Sequence, residues 1–448
     1  MINKNDIVEV EIIDIGINGE GIGKKDGFTV FVNGATIGDI VNAKVIKSKK
    51  KFAIAIVDSF VKESEYRVEY KCKHAKLCGG CQIQHLEYNK QLEIKQKKVK
   101  DAINRIAEIE DFEMEDIIGM DNPWNYRNKM IFPIRKQNDE VKIGMYRSRS
   151  HDVIDIEECL IQKKENMDIV NAVKDYINNF NISVYDEETN EGLMRALYIR
   201  EGFKTKEKMV CIVINGDEIS NVQILVKKLL FIDKSIKGIV LNINKEEGNK
   251  ILGDKIIKLH GEKYITEYIE NVKYEISPLS FFQVNPIQTE KLYAKALEYA
   301  NAKDKVVWDA YCGTGSISLF LAKEAEKVYG VEIVPAAIKD AKANALLNRI
   351  NNVEFFVGKA EDIITEERKS DVIVVDPPRK GCDEKLLETM LKIEPSTIVY
   401  VSCDPATLAR DLKILKEKYN LDKCVAVDMF PHSMHVETVV KMNKIIKK

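Results

Sequence analysis

Three absences narrow the class of this chain before any motif is considered. No apolar run approaches the roughly 18 residues a bilayer crossing needs, so no membrane span is expected. The opening residues Met1-Ile2-Asn3-Lys4-Asn5-Asp6 hold no apolar core, so no secretory signal is expected and a cytoplasmic enzyme is the default. Neither sign of charge dominates: 69 Lys and Arg stand against 71 Asp and Glu, a formal net charge of -2. Bulk charge therefore does not hold a nucleic acid here, although local basic segments still can. What is present is ordinary for a folded protein: 448 residues, enough for two to four domains, with 31% charged and 45% hydrophobic. Its nine cysteines are an odd number. In a reducing compartment they are expected as thiols, metal ligands or catalysts rather than disulfides.

The first 60 or so residues read as a small β-domain. Ile7-Val8-Glu9-Val10-Glu11-Ile12 and Phe28-Thr29-Val30-Phe31-Val32 are strand-like, and Gly16, Gly19, Gly21, Gly23, Gly27, Gly34 and Gly38 punctuate them. Several short strands in so short a stretch suggest an OB-like barrel. Lys44, Lys47, Lys49, Lys50 and Lys51 crowd its far end, as a solvated edge or as a phosphate-contacting face.

Between 70 and 160 lie three clustered cysteines, a helix and a basic stretch. Cys72, Cys78 and Cys81 are close in sequence, and Cys159 lies far downstream. On spacing alone, zinc and an iron–sulfur cluster both fit, with His74 and His85 as substitute zinc ligands. Leu92, Val99, Ile103 and Ile106 form one apolar stripe of a helix, flanked by Lys90, Lys97 and Lys100. In 123–151, Arg127, Lys129, Arg135, Lys136, Lys142, Arg147 and Arg149 outnumber Asp139 and Glu140, and Trp124, Tyr126, Phe132 and Tyr146 interleave with them. Cations mixed with aromatics suit single-stranded RNA, where bases stack and phosphates need neutralising. A mixed sheet with its Lys and Arg facing water gives the same pattern. Residues 160–275 continue as mixed α/β.

From about 280 the pattern turns regular. Asn285-Pro286 reads as an N-cap with proline at the first helical position. Strands are predicted at 305–311, 327–333, 353–357, 371–376, 397–403, 424–430 and 436–442, with helices between most of them. Alternation of this kind builds a parallel sheet covered on both faces. The last two strands are too closely joined for a crossover and must form an antiparallel hairpin. That is the layout of the class I methyltransferase fold, seven strands with the last antiparallel.

Asp309-Ala310-Tyr311-Cys312-Gly313-Thr314-Gly315-Ser316 follows the first of these strands and opens a helix. Glu332 ends the second strand, where an acid can accept ribose hydroxyls, and Asp376-Pro377-Pro378-Arg379 ends the fourth. One glycine turn with two acids, and no second phosphate-binding glycine, fits S-adenosylmethionine better than a dinucleotide. Tyr400-Val401-Ser402-Cys403-Asp404-Pro405 closes the fifth strand, which brings Cys403 to the same rim. A thiolate beside a methyl donor has a specific use on pyrimidines. Its addition to C6 of uracil makes C5 nucleophilic, and a base must then remove the C5 proton. Glu437 is the leading candidate for that base and His435 the second, both in Pro431-His432-Ser433-Met434-His435-Val436-Glu437.

Together Phe281-Phe282-Gln283-Val284-Asn285, the Asp-x-Tyr-Cys-Gly-x-Gly loop, Asp376-Pro-Pro-Arg-Lys-Gly381, Ser402-Cys403-Asp404-Pro405 and Pro431-His432…His435-Val-Glu437 resemble the RNA (uracil-5-)-methyltransferase family. The N-terminal barrel resembles a TRAM domain, so the likeness covers nearly the whole chain. The resemblance implies Cys403 as nucleophile and Glu437 as base. It implies Gln283, Tyr311, Glu332 and Asp376 as cofactor contacts, with Gln283 and a stacking Phe281 against a flipped target uridine. Tyr311 stands where many members have phenylalanine, which preserves the ring. For Cys72, Cys78, Cys81 and Cys159 it implies a structural [4Fe-4S] cluster, as in the ribosomal RNA branch. The implied substrate is RNA rather than DNA, 23S ribosomal RNA first and the T-loop uridine of transfer RNA as the alternative. A non-catalytic RNA-binding iron–sulfur protein is the reading from another class. The expected layout is 1–60 as a TRAM-like RNA-binding β-barrel, 61–275 as a central domain with the cluster, and 276–448 as the S-adenosylmethionine-dependent methyltransferase domain, acting as a monomer.

Overall fold

Period-two alternation closes the N-terminal strands on themselves. In the computed structural model, which describes residues 2–365, 368 and 370–446, five strands come first: β1 Ile7–Ile15, β2 Gly21–Lys25, β3 Phe28–Asn33, β4 Ile40–Ser48 and β5 Phe52–Lys62. They form a closed barrel in the order β1-β2-β3-β5-β4. Val41, Ala43 and Val45 of β4 point inward with Val10, Ile12, Val30, Val32, Ala53 and Ala55, as alternation requires. Lys44, Lys47, Lys49, Lys50 and Lys51 are all exposed. Buried Asp39 ties the barrel to the chain beyond it, accepting from the Thr36 and Ser64 amides and pairing with Arg67 at 2.5 Å.

Helix α1 (Tyr88–Ala102) leads into a π-wound turn, Ile103–Ala107. That winding corrects the predicted apolar stripe. Val99 and Ile103 are buried, but the wider turn rotates Ile106 outward to 39% exposure and buries Ala107 in its place. A polar set is also buried on α1, Gln91 and Lys95. Strand β6 (Glu113–Met114) follows.

The central region is a seven-stranded sheet. Its elements are β7 Lys129–Gln137, β8 Glu140–Tyr146, β9 Val153–Asp155, α2 Asn166–Asn179, β10 Met194–Glu201, β11 Lys208–Ile214, α3 Val222–Ile232, β12 Ile236–Ile243 and β13 Lys255–Gly261. The strand order is β13-β12-β11-β10-β7-β8-β9. Helices α2 and α3 pack on one face through Val173, Tyr176, Leu225 and Leu229. The other face, with Tyr198, Cys211 and Val240, shares a core with the hairpin β14 (Ile265–Ile269) and β15 (Val272–Ile276) and with the C-terminal half. Coverage on both faces explains why every residue of β10 and β11 is buried.

The C-terminal half comprises α4 Pro286–Ala300, β16 Val306–Ala310, α5 Ser316–Leu321, β17 Lys327–Glu332, α6 Pro335–Leu347, β18 Val353–Val357, α7 Ala360–Ile363, β19 Val372–Val375, α8 Glu384–Ile393, β20 Thr397–Ser402, α9 Pro405–Leu415, β21 Tyr419–Val427 and β22 Glu437–Lys444. The sheet order is β18-β17-β16-β19-β20-β22-β21-β6. It has eight strands rather than the expected seven, because β6 adds to the edge beside β21. The expected antiparallel hairpin forms between β21 and β22. The sixth expected strand begins earlier, at Tyr419, and the connection is longer than expected, residues 428–436. No helix among the described residues is long and apolar enough to cross a membrane.

That connection is fastened to α1 by an ion pair with no solvent access. Lys95 Nζ lies 2.5 Å from Asp428 Oδ1, both side chains at 0% exposure. Tyr88 Oη donates to the other oxygen, Oδ2, at 2.8 Å. Removing one partner strands the other charge in a dry interior, at a cost of about 3–5 kcal/mol. Lys95→Ala is accordingly expected to lose that much stability in urea unfolding. A loss below about 1 kcal/mol, the range of exposed pairs, would show that the pair is not holding the fold.

Candidate active site

The parallel strands β16, β17, β19 and β20 all end on one rim of the sheet. Strand β22 runs the other way, so its first residue arrives at that same rim. The site is therefore made of strand tips, each put there by topology. After β16 the chain makes the glycine turn. Gly313 has φ of 54°, in the left-handed region, and a Cβ placed there would meet nothing within 4 Å. Gly315, with φ of 78°, is packed instead: a Cβ there would come within 2.9 Å of Phe355. One glycine thus opens a cradle and the other closes the turn against its neighbours. Glu332, the last residue of β17, is held by the Gly313 amide at 3.3 Å and the Val334 amide at 2.9 Å. An open cradle with a fixed carboxylate beside it fits the ribose and backbone of S-adenosylmethionine. Tyr311 stands in the same turn with φ of 66°, its hydroxyl accepting from the Asp383 amide at 3.4 Å.

Cys403 follows β20 directly and is half-buried. Asp404 caps α9, accepting from the amides of Ala406 at 2.9 Å and Thr407 at 3.0 Å, with Pro405 at the first helical position. The cap ends the strand abruptly and leaves the cysteine at its tip. In the β20–β22 ladder Ser402 pairs with Thr438. One step further in an antiparallel register sets Cys403 opposite Glu437. Electrostatics agree with that register. Burial pushes the Cys403 thiol up to about 11, with the Glu437 and Asp376 carboxylates adding to it and Arg379 opposing. Burial pushes buried Glu437 up to about 8, helped by Asp376 and again opposed by Arg379. Asp376, just beyond β19, is pushed up to about 7 by burial. Two carboxyls, a thiol and one guanidinium therefore share this rim. His435 is exposed beside it, its imidazole pushed down by burial and then by Arg379, Lys98, Lys95 and Arg127.

The loop before α4 touches the glycine turn. Gln283 is buried, while Phe281 stands out at 65% exposure, free to meet a ligand. Thr314 Oγ1 of the glycine turn donates to the Phe281 carbonyl at 3.4 Å. Asn285 caps α4 as expected, accepting from the Gln288 amide at 3.3 Å, and Pro286 follows.

Several residues around this loop escaped the sequence reading. Asn128 Nδ2 donates to the Gln283 carbonyl at 3.1 Å. Buried Arg200 donates through Nη1 to the carbonyls of Ser277 at 3.3 Å and Ser280 at 3.1 Å, while its Nε and Nη2 have no partner. Arg200 lies on β10 and Asn128 immediately precedes β7, so the central sheet is the wall that supports the loop. Burial pushes Lys129 down to about 7, and the neighbouring Arg200 and Arg127 add to the effect. An Arg directly after the strand-like run Ala196-Leu197-Tyr198-Ile199, at Arg200, was the one signal available.

The basic stretch 123–151 divides. Phe132 and Tyr126 are core residues rather than stacking platforms, and Trp124 stacks on His432 with ring centres 3.9 Å apart. Arg147, Arg149 and Lys136 face solvent, as a plain sheet surface does. Cys72, Cys78, Cys81 and Cys159 do share one neighbourhood. The Cys81 thiol is pushed up to about 12 by burial and then by Cys159, Cys78 and Cys72. Cys81 and Cys159 pack on the same small core of Met120, Tyr126 and Ile161. Among the described residues, however, no three His, Cys, Asp or Glu side chains converge as ligands of one metal ion. His85 is buried beside Tyr70 with neither ring nitrogen partnered, and burial pushes it down to about 4.

The profile of the tRNA (uracil-5-)-methyltransferase family matches residues 87–445, and that of the TRAM domain matches residues 3–57. An uncharacterized RNA methyltransferase of Clostridium tetani is 48% identical, over 98% of this chain and 97% of its own length. Another from Clostridium acetobutylicum is 47% identical, over 100% and 99%. Among solved structures, the tRNA (uracil-54, C5)-methyltransferase of Pyrococcus abyssi in complex with S-adenosyl-L-homocysteine is similar with a TM-score of 0.79 and 30% identity, covering 97% of this chain and 100% of that one.

Proposed function

The chain belongs to the tRNA (uracil-5-)-methyltransferase family and carries a TRAM domain, and on that premise we propose that its S-adenosylmethionine-dependent methylation of RNA runs through a covalent adduct between Cys403 and C6 of a uridine. The observation that carries this reading is the β20–β22 register, which sets Cys403 opposite Glu437 at the rim beside Asp376.

Each residue then has a chemical task. Glu332 accepts the ribose hydroxyls, Asp376 and Gln283 line the reacting end, and Tyr311 packs along the cofactor. Phe281 stacks on the uracil once it is flipped out of its RNA, and Gln283 hydrogen-bonds its edge. Cys403 gives up its proton to solvent, so that Glu437 stays ionised, and its sulfur bonds to C6, which loads electron density onto C5. S-adenosylmethionine bound in the cradle would supply the electrophilic methyl group that C5 takes up, its sulfonium leaving as the neutral thioether. Glu437, as carboxylate, then removes the C5 proton, the C5–C6 double bond re-forms, and the C6–sulfur bond breaks to release Cys403. A carboxyl raised toward neutral pH is a stronger base than a free one, which suits this last proton transfer. The reading as a non-catalytic RNA-binding protein gives way to an enzyme.

The division into 1–60, 61–275 and 276–448 is proposed as RNA-binding barrel, central domain and catalytic domain. The barrel together with the four-cysteine knot supports 23S ribosomal RNA as the target. The likeness to a tRNA (uracil-54, C5)-methyltransferase supports the T-loop uridine of transfer RNA as the second reading. We propose that Cys72, Cys78, Cys81 and Cys159 hold a structural [4Fe-4S] cluster, which their shared neighbourhood supports.

Glu437→Gln is expected to form the adduct and fail to release it, leaving protein and RNA linked on a denaturing gel, whereas Cys403→Ala forms no adduct but still binds cofactor. Rapid turnover by either variant would remove the corresponding role. In the native enzyme the base must be ionised, so kcat/KM is expected to rise with pH through a value near 8. Mapping 5-methyluridine in ribosomal and transfer RNA of a deletion strain decides the target: loss from 23S RNA is expected, and loss from the T-loop alone would overturn it. Anaerobically purified protein should carry about four irons with matching sulfide; stoichiometric zinc instead would refute the cluster.

A further inference from the structure

Residues 428–436 contain no regular element, yet they determine where Glu437 enters the sheet, and they are gripped from three sides. From the first side, Asn285 Nδ2 donates to the Met429 carbonyl at 3.1 Å and Gln288 Nε2 to the Asp428 carbonyl at 3.2 Å. From the second, the Tyr126 hydroxyl donates to the Pro431 carbonyl at 3.2 Å, the Ile83 amide to the His432 carbonyl at 3.0 Å, and Trp124 stacks on the His432 ring. The third grip comes from α1. Gln91, Lys95 and Lys98 are four and three residues apart, so they project from one helix face. Gln91 Oε1 accepts from the His432 amide at 2.9 Å. Lys95 Nζ donates to Asp428 Oδ1 at 2.5 Å and to the Phe430 carbonyl at 3.0 Å. Lys98 Nζ donates to the Met434 carbonyl at 3.0 Å and feels the Asp404 carboxylate, next to Cys403.

A helix face that only had to pack would be apolar, because burying ammonium groups costs more than burying leucines. Polar groups add direction: each of these fixes a named atom of the connection. Lys98 is the member closest to the chemistry, lying between the carbonyl three residues before Glu437 and the cap that follows Cys403.

We propose that Gln91, Lys95 and Lys98 of α1 are positioning residues for the proton-abstraction step, holding the connection so that the Glu437 carboxyl meets C5 of the adduct. They touch neither substrate nor cofactor and act through the backbone of 428–434. The proposal rests on Glu437 being the base. Lys98 is the testable member, since Lys95 also holds the fold and Lys98 keeps partial solvent access.

The test uses full-length Lys98→Met, Lys98→Arg and Glu437→Gln proteins, with RNA from a deletion strain and labelled S-adenosylmethionine. Lys98→Met should lower kcat by about tenfold or more, as small misplacements of a catalytic group do, with KM for RNA unchanged. Methylated protein–RNA adduct should accumulate on denaturing gels, and Lys98→Arg should restore turnover. A raised KM with a weaker salt dependence and unchanged kcat would make Lys98 a phosphate contact and overturn the proposal. So would an activity loss without adduct, or one that the arginine does not rescue. If Glu437→Gln traps adduct and Lys98→Met does not, this proposal falls alone; if Glu437→Gln traps none, the base assignment falls and takes this proposal with it.

Discussion

The buried pair of Lys95 and Asp428 is the constraint around which the molecule is arranged. Two opposite charges at 2.5 Å, with no solvent access, repay their desolvation only when geometry and further hydrogen bonds are good. Here Tyr88 completes Asp428, and the Phe430 carbonyl takes a second proton of Lys95. Neither partner can move without exposing the other, so α1 and the β21–β22 connection are locked together. The consequence reaches the strand-tip rim, because that connection ends at Glu437. It also reaches back along the chain. Helix α1 follows the cysteine knot directly, and the 113–128 segment runs beside β21 before it delivers Trp124 and Tyr126 to the same connection.

The strand-tip rim that holds Cys403 and Glu437 is an electrostatic counterpart to that lock. Burial raises all three groups, the Asp376 carboxylate adds to the rise at Glu437, and both carboxylates add to the rise at the thiol. Arg379 is the opposing charge at both Cys403 and Glu437. A rim with this surplus of acid suits a cationic cofactor, and carboxyls near neutrality can exchange protons with a thiol and with carbon. The same burial that is costly for stability is what tunes the acids for use. The central sheet contributes the opposite wall, where Arg200 and Asn128 hold the loop of Phe281 and Gln283 through its carbonyls.

Much of this was readable from local pattern. Strand tips in an alternating βα chain share one rim, so Glu332, Asp376 and Cys403 could be grouped from order alone. The Asn285-Pro286 cap and the glycine turn are local chemistry and formed as read. Other features were misread for equally physical reasons. The π turn after α1 changed the helical phase, which turned Ile106 outward and Ala107 inward. Phe132 and Tyr126 looked like base-stacking aromatics because the sequence does not say which face of a strand is covered. The stripe of Gln91, Lys95 and Lys98 carries no local signal, since nothing near it in sequence announces a partner more than 300 residues away.

By itself, then, the sequence determined the fold class, the rim and the identities of the groups on it, because those depend on periodicity, capping and strand order. Tertiary structure alone decided which polar residues are buried and what they hold: Lys95 on Asp428, Arg200 and Asn128 beneath the Gln283 loop, and Cys403 opposite Glu437. Burial and register between distant segments are properties of the packed chain. A charge costs nothing on a helix drawn alone, and acquires its meaning only when another segment removes it from water.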